Sequence, residues 1–130
     1  MAKVSVAEVM TRKVVYLPEG TMLDEAAQAM RDQGIGDVVV TSGPTMVGLV
    51  TDRDIVIRAI AENLISKQTT LGSITSRELI MVEQSATVEE AVQAMRSRGV
   101  RRLLVCDSDR NVVGILSLSD VALCPTSTPA

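Results

Sequence analysis

The alternation of apolar and polar positions predicts the same order of elements twice along this chain. Short runs of valine, leucine and isoleucine indicate strands, and apolar residues at helical spacing from Leu23 to Met30 indicate an amphipathic helix. Glycine, proline and small polar residues separate these runs. Each half is therefore predicted to contain a short helical lead-in, a strand, a helix, two strands and a closing helix.

In the first half, Thr21 and Asp24 have the spacing of a capping box, and Gly34 suits the end of the helix between them. The predicted bounds are a lead-in at Val4–Met10, strands at Val14–Leu17, Asp37–Thr41 and Met46–Val50, and a closing helix at about Asp52–Asn63.

In the second half, Thr87 and Glu90 form the corresponding capping box. The predicted bounds are a lead-in at Leu71–Thr75, strands at Leu79–Val82, Leu103–Asp107 and Asn111–Leu116, and helices at Thr87–Arg98 and about Leu118–Cys124. Adjacent strands in each half form a hairpin, so the fold class is α+β (mixed α/β), with mixed rather than fully parallel pairing.

The two halves are also alike residue by residue. An offset of 65 residues lays Val6–Val47 on Leu71–Val112, and after one inserted residue Gly48–Asp54 meets Gly114–Asp120. Two copies are too few for a solenoid. We therefore expect domains at 1–65 and 66–130 that pack as a pseudo-two-fold pair with related clefts where they meet, and a flexible tail at 125–130.

Composition excludes several classes of function. The chain is 46% hydrophobic but has one tyrosine, no phenylalanine and no tryptophan, and its net charge is −3. Without a basic excess or aromatic stacking residues, nucleic acid is not an expected partner. No run reaches the roughly 18 apolar residues of a membrane span, so no membrane partner is expected. The polar N-terminus is unlike a signal peptide, which predicts a cytoplasmic protein.

Metal and catalytic chemistry lack the usual residues. There is no histidine, and Cys106 and Cys124 do not have metal-ligand spacing. Cys106 is expected in the core and Cys124 as an exposed thiol, because a disulfide between them is not expected in a cytosolic protein. No nucleophile–base pair is present. We expect no metal, no required cofactor and no enzymatic activity.

The repeated motif is Gly-apolar-apolar-(Thr/Ser)-x-x-Asp at the start of each closing helix. It is accompanied by lead-ins at Val9–Thr11 and Ile74–Ser76 and helix ends at Gly34–Gly36 and Gly99–Arg102. This ordered set resembles the CBS domain, two of which form a Bateman module. The resemblance covers the chain except its tail and implies a stand-alone bacterial CBS-pair protein. The family often has a proline in the middle strand, where this chain has Val39 and Leu104.

The resemblance implies a regulatory, non-catalytic sensor of AMP, ADP or ATP. In this interpretation Asp54 and Asp120 accept hydrogen bonds from ribose hydroxyls. The phosphate-side residues are Thr51 and Arg53 in the first copy and Ser117, Ser119, Arg101 and Arg102 in the second. The apolar slot would be lined by Thr11, Val14 and Val15 in the cleft with Asp120, and by Ser76, Leu79 and Ile80 in the cleft with Asp54.

Simpler interpretations of the same residues remain open. Thr51 with Asp54, and Ser117 with Asp120, also have the spacing of ordinary helix caps, and the two roles can coexist. Arg101 and Arg102 are either phosphate ligands or solvated surface charges. The copy-one counterparts of these arginines are Gly36 and Asp37, so we expect the Asp120 cleft to be the better nucleotide site.

The alternative function is a ligand-free protein-interaction or dimerisation module with vestigial clefts. The resemblance implies a homodimer in either case, and a regulated protein partner that the sequence does not name. A melting shift produced by an adenine nucleotide would separate the sensor from the interaction module.

Overall fold

The computed structural model of the protein describes residues 3–122, which form two compact units. Residues 3–14 and 80–122 make up one, called the Asp120 unit below, and residues 15–79 make up the other, called the Asp54 unit. Each unit has one three-stranded sheet. The end of the last predicted helix, Cys124 with its possible pairing to Cys106, and the tail 125–130 lie outside the described residues.

The elements follow the predicted order, with ends that differ by a few residues. In chain order they are α1 (Val6–Val9), β1 (Tyr16–Pro18), α2 (Leu23–Gln33), β2 (Asp37–Ser42), β3 (Thr45–Thr51), α3 (Asp52–Ile55) with a π-helical segment at Val56–Ile60, α4 (Leu71–Ile74), β4 (Met81–Glu83), α5 (Val88–Arg98), β5 (Arg102–Cys106), β6 (Val112–Ser117) and α6 (Leu118–Ala122).

Both sheets are mixed, which confirms the predicted α+β class. In the Asp54 unit β1 runs parallel to β2 and β2 runs antiparallel to β3. The Asp120 unit repeats this pattern with β4, β5 and β6. In each unit a long helix, α2 or α5, connects the parallel pair, because parallel strands need a crossover. A register shift interrupts each hairpin, after Val40 in one and after Val105 in the other.

Local capping starts and stops α5 as the sequence predicts. The Thr87 hydroxyl accepts a hydrogen bond from the Glu90 N–H at 3.1 Å, and the Glu90 carboxylate accepts one from the Thr87 N–H at 2.9 Å. Hydrogen bonds from the Thr87 N–H, and next from the Thr87 hydroxyl, lower the pKa of the Glu90 carboxyl. Gly99 ends the helix at φ 66°, a left-handed conformation that glycine adopts at low cost. Gly34 ends α2 in the same way.

The predicted cap of α2 is wrong by one residue. Met22, not Thr21, occupies the N-cap position, and its N–H donates to the Glu25 carboxylate at 3.2 Å. The Thr21 N–H instead donates to the Pro18 carbonyl at 3.0 Å, so Thr21 belongs to the turn after β1. The offset of 65 residues places Met22, rather than Thr21, at the position of Thr87.

The predicted closing helix at Asp52–Asn63 is α-helical only to Ile55. The Ala61 N–H donates to the Val56 carbonyl at 2.9 Å, a bond spanning five residues, which makes Val56–Ile60 a wider π-helical segment. Ile55, Val56 and Ile57 at this point are successive β-branched residues, which have a slightly lowered α-helix propensity.

The lead-in helix of each sequence copy packs in the unit built on the other copy. Val6 and Met10 join the buried core around α5 and β5, and Leu71 and Ile74 join the core around α2 and β2. A backbone hydrogen bond holds each lead-in helix in its unit. The Val6 N–H donates to the Ala86 carbonyl at 2.8 Å, and the Leu71 N–H donates to the Thr21 carbonyl at 2.8 Å.

The packing units therefore do not coincide with the sequence copies 1–65 and 66–130. A four-residue helix such as α4 has one apolar face and no core of its own, so it is stabilised only by burial against a sheet and a longer helix. That burial is nearly complete, since Leu71 is 0% exposed.

The chain after each lead-in then pairs with an outer strand of a sheet. Thr11 and Ile115 exchange backbone hydrogen bonds of 2.8 and 2.9 Å, and Ser76 forms the equivalent bridge to Leu49. These close approaches require glycine beside them. A Cβ on Gly114 would lie 2.8 Å from the Thr11 carbonyl oxygen, and one on Gly48 would lie 2.5 Å from that of Ser76.

We expect Gly48→Ala to lower the free energy of unfolding by about 1–3 kcal/mol, the usual cost of overpacking. The added methyl group would overlap the Thr75 side chain and the Ser76 backbone, and a backbone atom cannot rotate away. Urea denaturation measures the change. Gly20→Ala is the matched control, because a Cβ there meets nothing within 4 Å. Equal stabilities for the two variants would contradict the close approach.

Candidate functional site

Asp120 and Ser117 form a reciprocal pair where β6 passes into α6. The Ser117 N–H donates to Asp120 Oδ2 at 3.0 Å, and the Asp120 N–H donates to Ser117 Oγ at 3.2 Å. The Ser119 hydroxyl lies 2.8 Å from that of Ser117. The capping interpretation of this motif is therefore correct as far as it goes. The cap uses Oδ2 of the carboxylate, and no hydrogen bond to Oδ1 is found among residues 3–122.

Two arginines and a threonine lie beside this pair. Arg102 on β5 is directly opposite Ser117 on β6, and the preceding Arg101 accepts a hydrogen bond from the Leu118 N–H at its carbonyl, 2.9 Å away. Thr11 pairs with Ile115, about 7 Å along the strand from Ser117. The backbone positions of Arg101 and Arg102 thus adjoin the serine hydroxyls and the Asp120 carboxylate at one end of the Asp120 unit.

The apolar residues predicted for the two sites are divided between the units. Val14 lies in the Asp120 unit and Leu79 in the Asp54 unit, each half-buried, in the units where they were expected. Val15 and Ile80 each lie in the opposite unit. The Val15 carbonyl accepts a hydrogen bond from Val39, and Ile80 packs against the core of the Asp120 unit. The chain passes from one unit to the other between Val14 and Val15 and between Leu79 and Ile80.

Thr51 and Asp54 repeat the reciprocal pair in the Asp54 unit. The Asp54 N–H donates to Thr51 Oγ1 at 3.0 Å, and the Thr51 N–H donates to Asp54 Oδ2 at 2.8 Å. Ser76 lies opposite Leu49, two residues before Thr51, as Thr11 lies before Ser117. The local geometry of the two candidate sites is thus the same.

Arg58 distinguishes the Asp54 site, and the sequence interpretation missed it. Its Nε lies 3.8 Å from Asp54 Oδ1, and its Nη1 donates to the Ile74 carbonyl at 3.1 Å. The signal was present in the spacing, because Asp54 and Arg58 are four residues apart on a predicted helix, the usual separation for an ion pair.

The charges beside Thr51 also differ from those beside Ser117. Asp37 is directly opposite Thr51 on the neighbouring strand, where the other unit has Arg102. Arg53 is exposed, and its N–H donates to the Asp52 carboxylate at 2.8 Å. The residue opposite the start of α3 is therefore acidic, whereas the residue opposite the start of α6 is basic.

Within residues 3–122, no cluster of three or more histidine, cysteine, aspartate or glutamate side chains is arranged to hold a metal ion. Among the helices of the same range, none has both the length and the apolar character needed to cross a membrane.

The repeated motif, the paired mixed sheets and the two Asp sites together define a tandem CBS-domain protein. The family model of the CBS domain matches residues 6–60 and again residues 71–124. The chain belongs to the CBS-domain family, and the resemblance inferred from its sequence is confirmed.

Two curated relatives match nearly the whole chain. The protein MK0525 of Methanopyrus kandleri is 34% identical over 93% of this chain, which spans only 62% of that relative. The CBS domain-containing protein YhcV of Bacillus subtilis is 33% identical over 92% of this chain and 84% of its own length.

A solved structure with a bound ligand has the same fold. The CBS domain protein PAE2072 of Pyrobaculum aerophilum, which was crystallised in complex with AMP, superposes with a TM-score of 0.81 at 26% identity. The match covers 95% of each chain. CBS-domain pairs are regulatory nucleotide-sensing modules, a class that is generally non-catalytic.

Proposed function

We propose that this protein is a non-catalytic regulatory module that binds AMP, ADP or ATP in the Asp120 unit. The observation that carries the proposal is the cluster of Asp120 with the hydroxyls of Ser117 and Ser119, at the end of a strand where Arg102 is the residue directly opposite Ser117. The AMP complex of PAE2072, a protein of the same fold, supports adenine nucleotide as the ligand class.

Each part of a nucleotide has a suitable group in this unit. Oδ1 of Asp120 would accept hydrogen bonds from the two adjacent ribose hydroxyls, and such charge-assisted bonds are stronger than neutral ones. The hydroxyls of Ser117 and Ser119, with Arg101 and Arg102, would face the phosphate. Half-buried Val14 and Ile80 and the backbone at Thr11 would supply the mainly apolar surroundings that an adenine ring needs.

Charge favours the Asp120 unit over the Asp54 unit. A phosphate placed beside Thr51 would meet Asp37, whereas one placed beside Ser117 would meet Arg102. At separations of about 4 Å and an effective dielectric constant near 20, each such interaction amounts to about 4 kcal/mol before solvation is counted. The opposite charges of Asp37 and Arg102 therefore favour phosphate binding beside Ser117, although the two capping boxes have the same geometry.

We expect AMP to raise the melting temperature of the protein by several degrees. A ligand that binds only the folded state stabilises it by about 2.7 kcal/mol at a hundredfold excess over Kd. Thermal unfolding with AMP, ADP and ATP, each at millimolar concentration, measures the effect. GMP is the control for the base, and inorganic phosphate at equal ionic strength is the control for salt. Absence of a shift with all adenine nucleotides would contradict the proposal.

That negative outcome would favour the second candidate, a homodimerisation or protein-interaction module. The observation behind it is an exposed apolar surface on and after the π-helical segment. Its members are Val56 (50% exposed), Ile57 (49%), Ile60 (65%) and Leu64 (44%). A self-associating chain or a regulated protein would bury these side chains, as water-exposed apolar surface favours association.

A further inference from the structure

The Arg58 guanidinium contacts two parts of the Asp54 unit at once. Its Nε faces Asp54 Oδ1 at 3.8 Å, and its Nη1 donates to the carbonyl of Ile74, the last residue of α4, at 3.1 Å. The Asp54 side chain is 27% exposed and that of Arg58 is 48% exposed. The ion pair therefore lies at the surface, where a ligand would have to compete with it.

This arrangement leaves little of the Asp54 carboxylate for a sugar. Oδ2 already accepts from the Thr51 N–H at 2.8 Å, and Oδ1 faces the guanidinium. A ribose diol would have to share or displace a cation, and neutral hydroxyls are weaker partners for a carboxylate than charged donors. The hydrogen bond to the Ile74 carbonyl holds the guanidinium in place. Because the guanidinium is planar and rigid, little additional conformational entropy is lost when it also faces Asp54.

In the sequence, the position equivalent to Arg58 in the second copy is not a cationic residue. The offset of 66 residues that takes Asp54 to Asp120 takes Arg58 to Cys124, whose side chain has no guanidinium. None of the ion pairs found within residues 3–122 includes Asp120, whereas one of them includes Asp54.

We propose that Arg58 acts as a specificity-determining residue that closes the Asp54 site to ribose, so that each chain binds one adenine nucleotide rather than two. This inference rests on the proposed nucleotide function. It adds a second source of the difference between two otherwise matching capping boxes, beside the charge of Asp37: one arginine, in a position that neither box includes.

Calorimetric titration with AMP tests the inference through stoichiometry. At AMP concentrations that fill only the Asp120 site, the wild-type protein is expected to bind about one AMP per chain. Arg58→Met should bind a second AMP roughly tenfold more tightly than the wild type does, and still more weakly than at the Asp120 site because Asp37 remains. Tenfold is the change expected when the Arg58–Asp54 ion pair, held by a hydrogen bond of ordinary strength to Ile74, no longer competes with the ribose hydroxyls for Asp54. Adding Asp54→Asn to Arg58→Met should return the stoichiometry to one.

The control is Arg31→Met, which removes an equal charge from the same unit and breaks the exposed pair with Asp32. It should leave one AMP per chain. Arg58→Gln is a second variant, because it keeps a donor for the Ile74 carbonyl without the charge, and it should also open the second site. Circular dichroism establishes that each variant is folded.

Three results would overturn the inference while leaving the proposed function intact. These are two equal sites in the wild type, a single site in both Arg58 variants, or weaker total binding in those variants, which would make Arg58 a phosphate ligand. Absence of AMP binding in the wild type and in every variant would instead overturn the proposed function itself.

Discussion

Asp120→Asn is expected to weaken AMP binding by roughly 10- to 150-fold, which corresponds to the loss of a charge-assisted hydrogen bond. The asparagine oxygen can still accept from the Ser117 N–H, so the start of α6 keeps its cap. The variant loses the negative charge toward the ribose hydroxyls, and its amide group adds donors where acceptors are needed. Calorimetric titration of AMP measures the change in Kd.

Glu90→Gln is the matched control for this substitution. Glu90 is also the carboxylate of a capping box in the Asp120 unit, since it accepts from the Thr87 N–H at 2.9 Å, but no part of the candidate site includes it. Its replacement should alter stability to a similar extent and leave the affinity for AMP unchanged. Equal affinities of wild type and Asp120→Asn would show that the aspartate serves only as a cap.

Leu71→Ala is expected to lower the free energy of unfolding by about 2–5 kcal/mol, the range for truncating a fully buried leucine. Leu71 belongs to the second sequence copy but lies in the core around α2 and β2. The loss of protection against hydrogen exchange should therefore fall on the amides of β2 and β3, in the first copy. Native-state hydrogen exchange resolved by residue distinguishes the two sheets.

Leu103→Ala supplies the comparison for this experiment. Leu103 is 1% exposed and lies in the core of the Asp120 unit, so its truncation should cost a similar free energy and expose the amides of β5 and β6 instead. If Leu71→Ala also affected β5 and β6 first, the exchange of lead-in helices between the copies would be refuted.

The strands and long helices were predictable because their signals are local. A buried strand such as Val38–Val40 is a run of valines, and α5 is bracketed by a capping threonine and a left-handed glycine. The same locality explains the errors. The N-cap of α2 was predicted at Thr21 but lies at Met22. The spacing could not separate the two, because each is followed by an acidic residue three positions later.

Part of the candidate site was equally predictable. The spacing of Ser117 and Asp120 predicts that each side chain can reach the backbone N–H of the other within one helical turn. The structure shows both hydrogen bonds, at 3.0 Å from the Ser117 N–H and 3.2 Å from the Asp120 N–H. The neighbourhood of Arg102 could be anticipated only through the family resemblance, because it depends on the register between two strands. Whether these residues bind a nucleotide stays a prediction until the titrations above are made.

By itself the sequence determined the order of elements, the twofold repetition, the mixed sheets and the two capping boxes. The elements and capping boxes depend on residues within a few turns of one another, and the repetition and the strand order follow from comparing the sequence with itself. The tertiary structure decided which lead-in joins which core, because the apolar face of a four-residue helix fits either sheet equally well on pattern alone. It also decided that Arg58 contacts the Ile74 carbonyl as well as Asp54. Arg58 and Ile74 are 16 positions apart, so their contact depends on how the chain folds and cannot be predicted from local spacing.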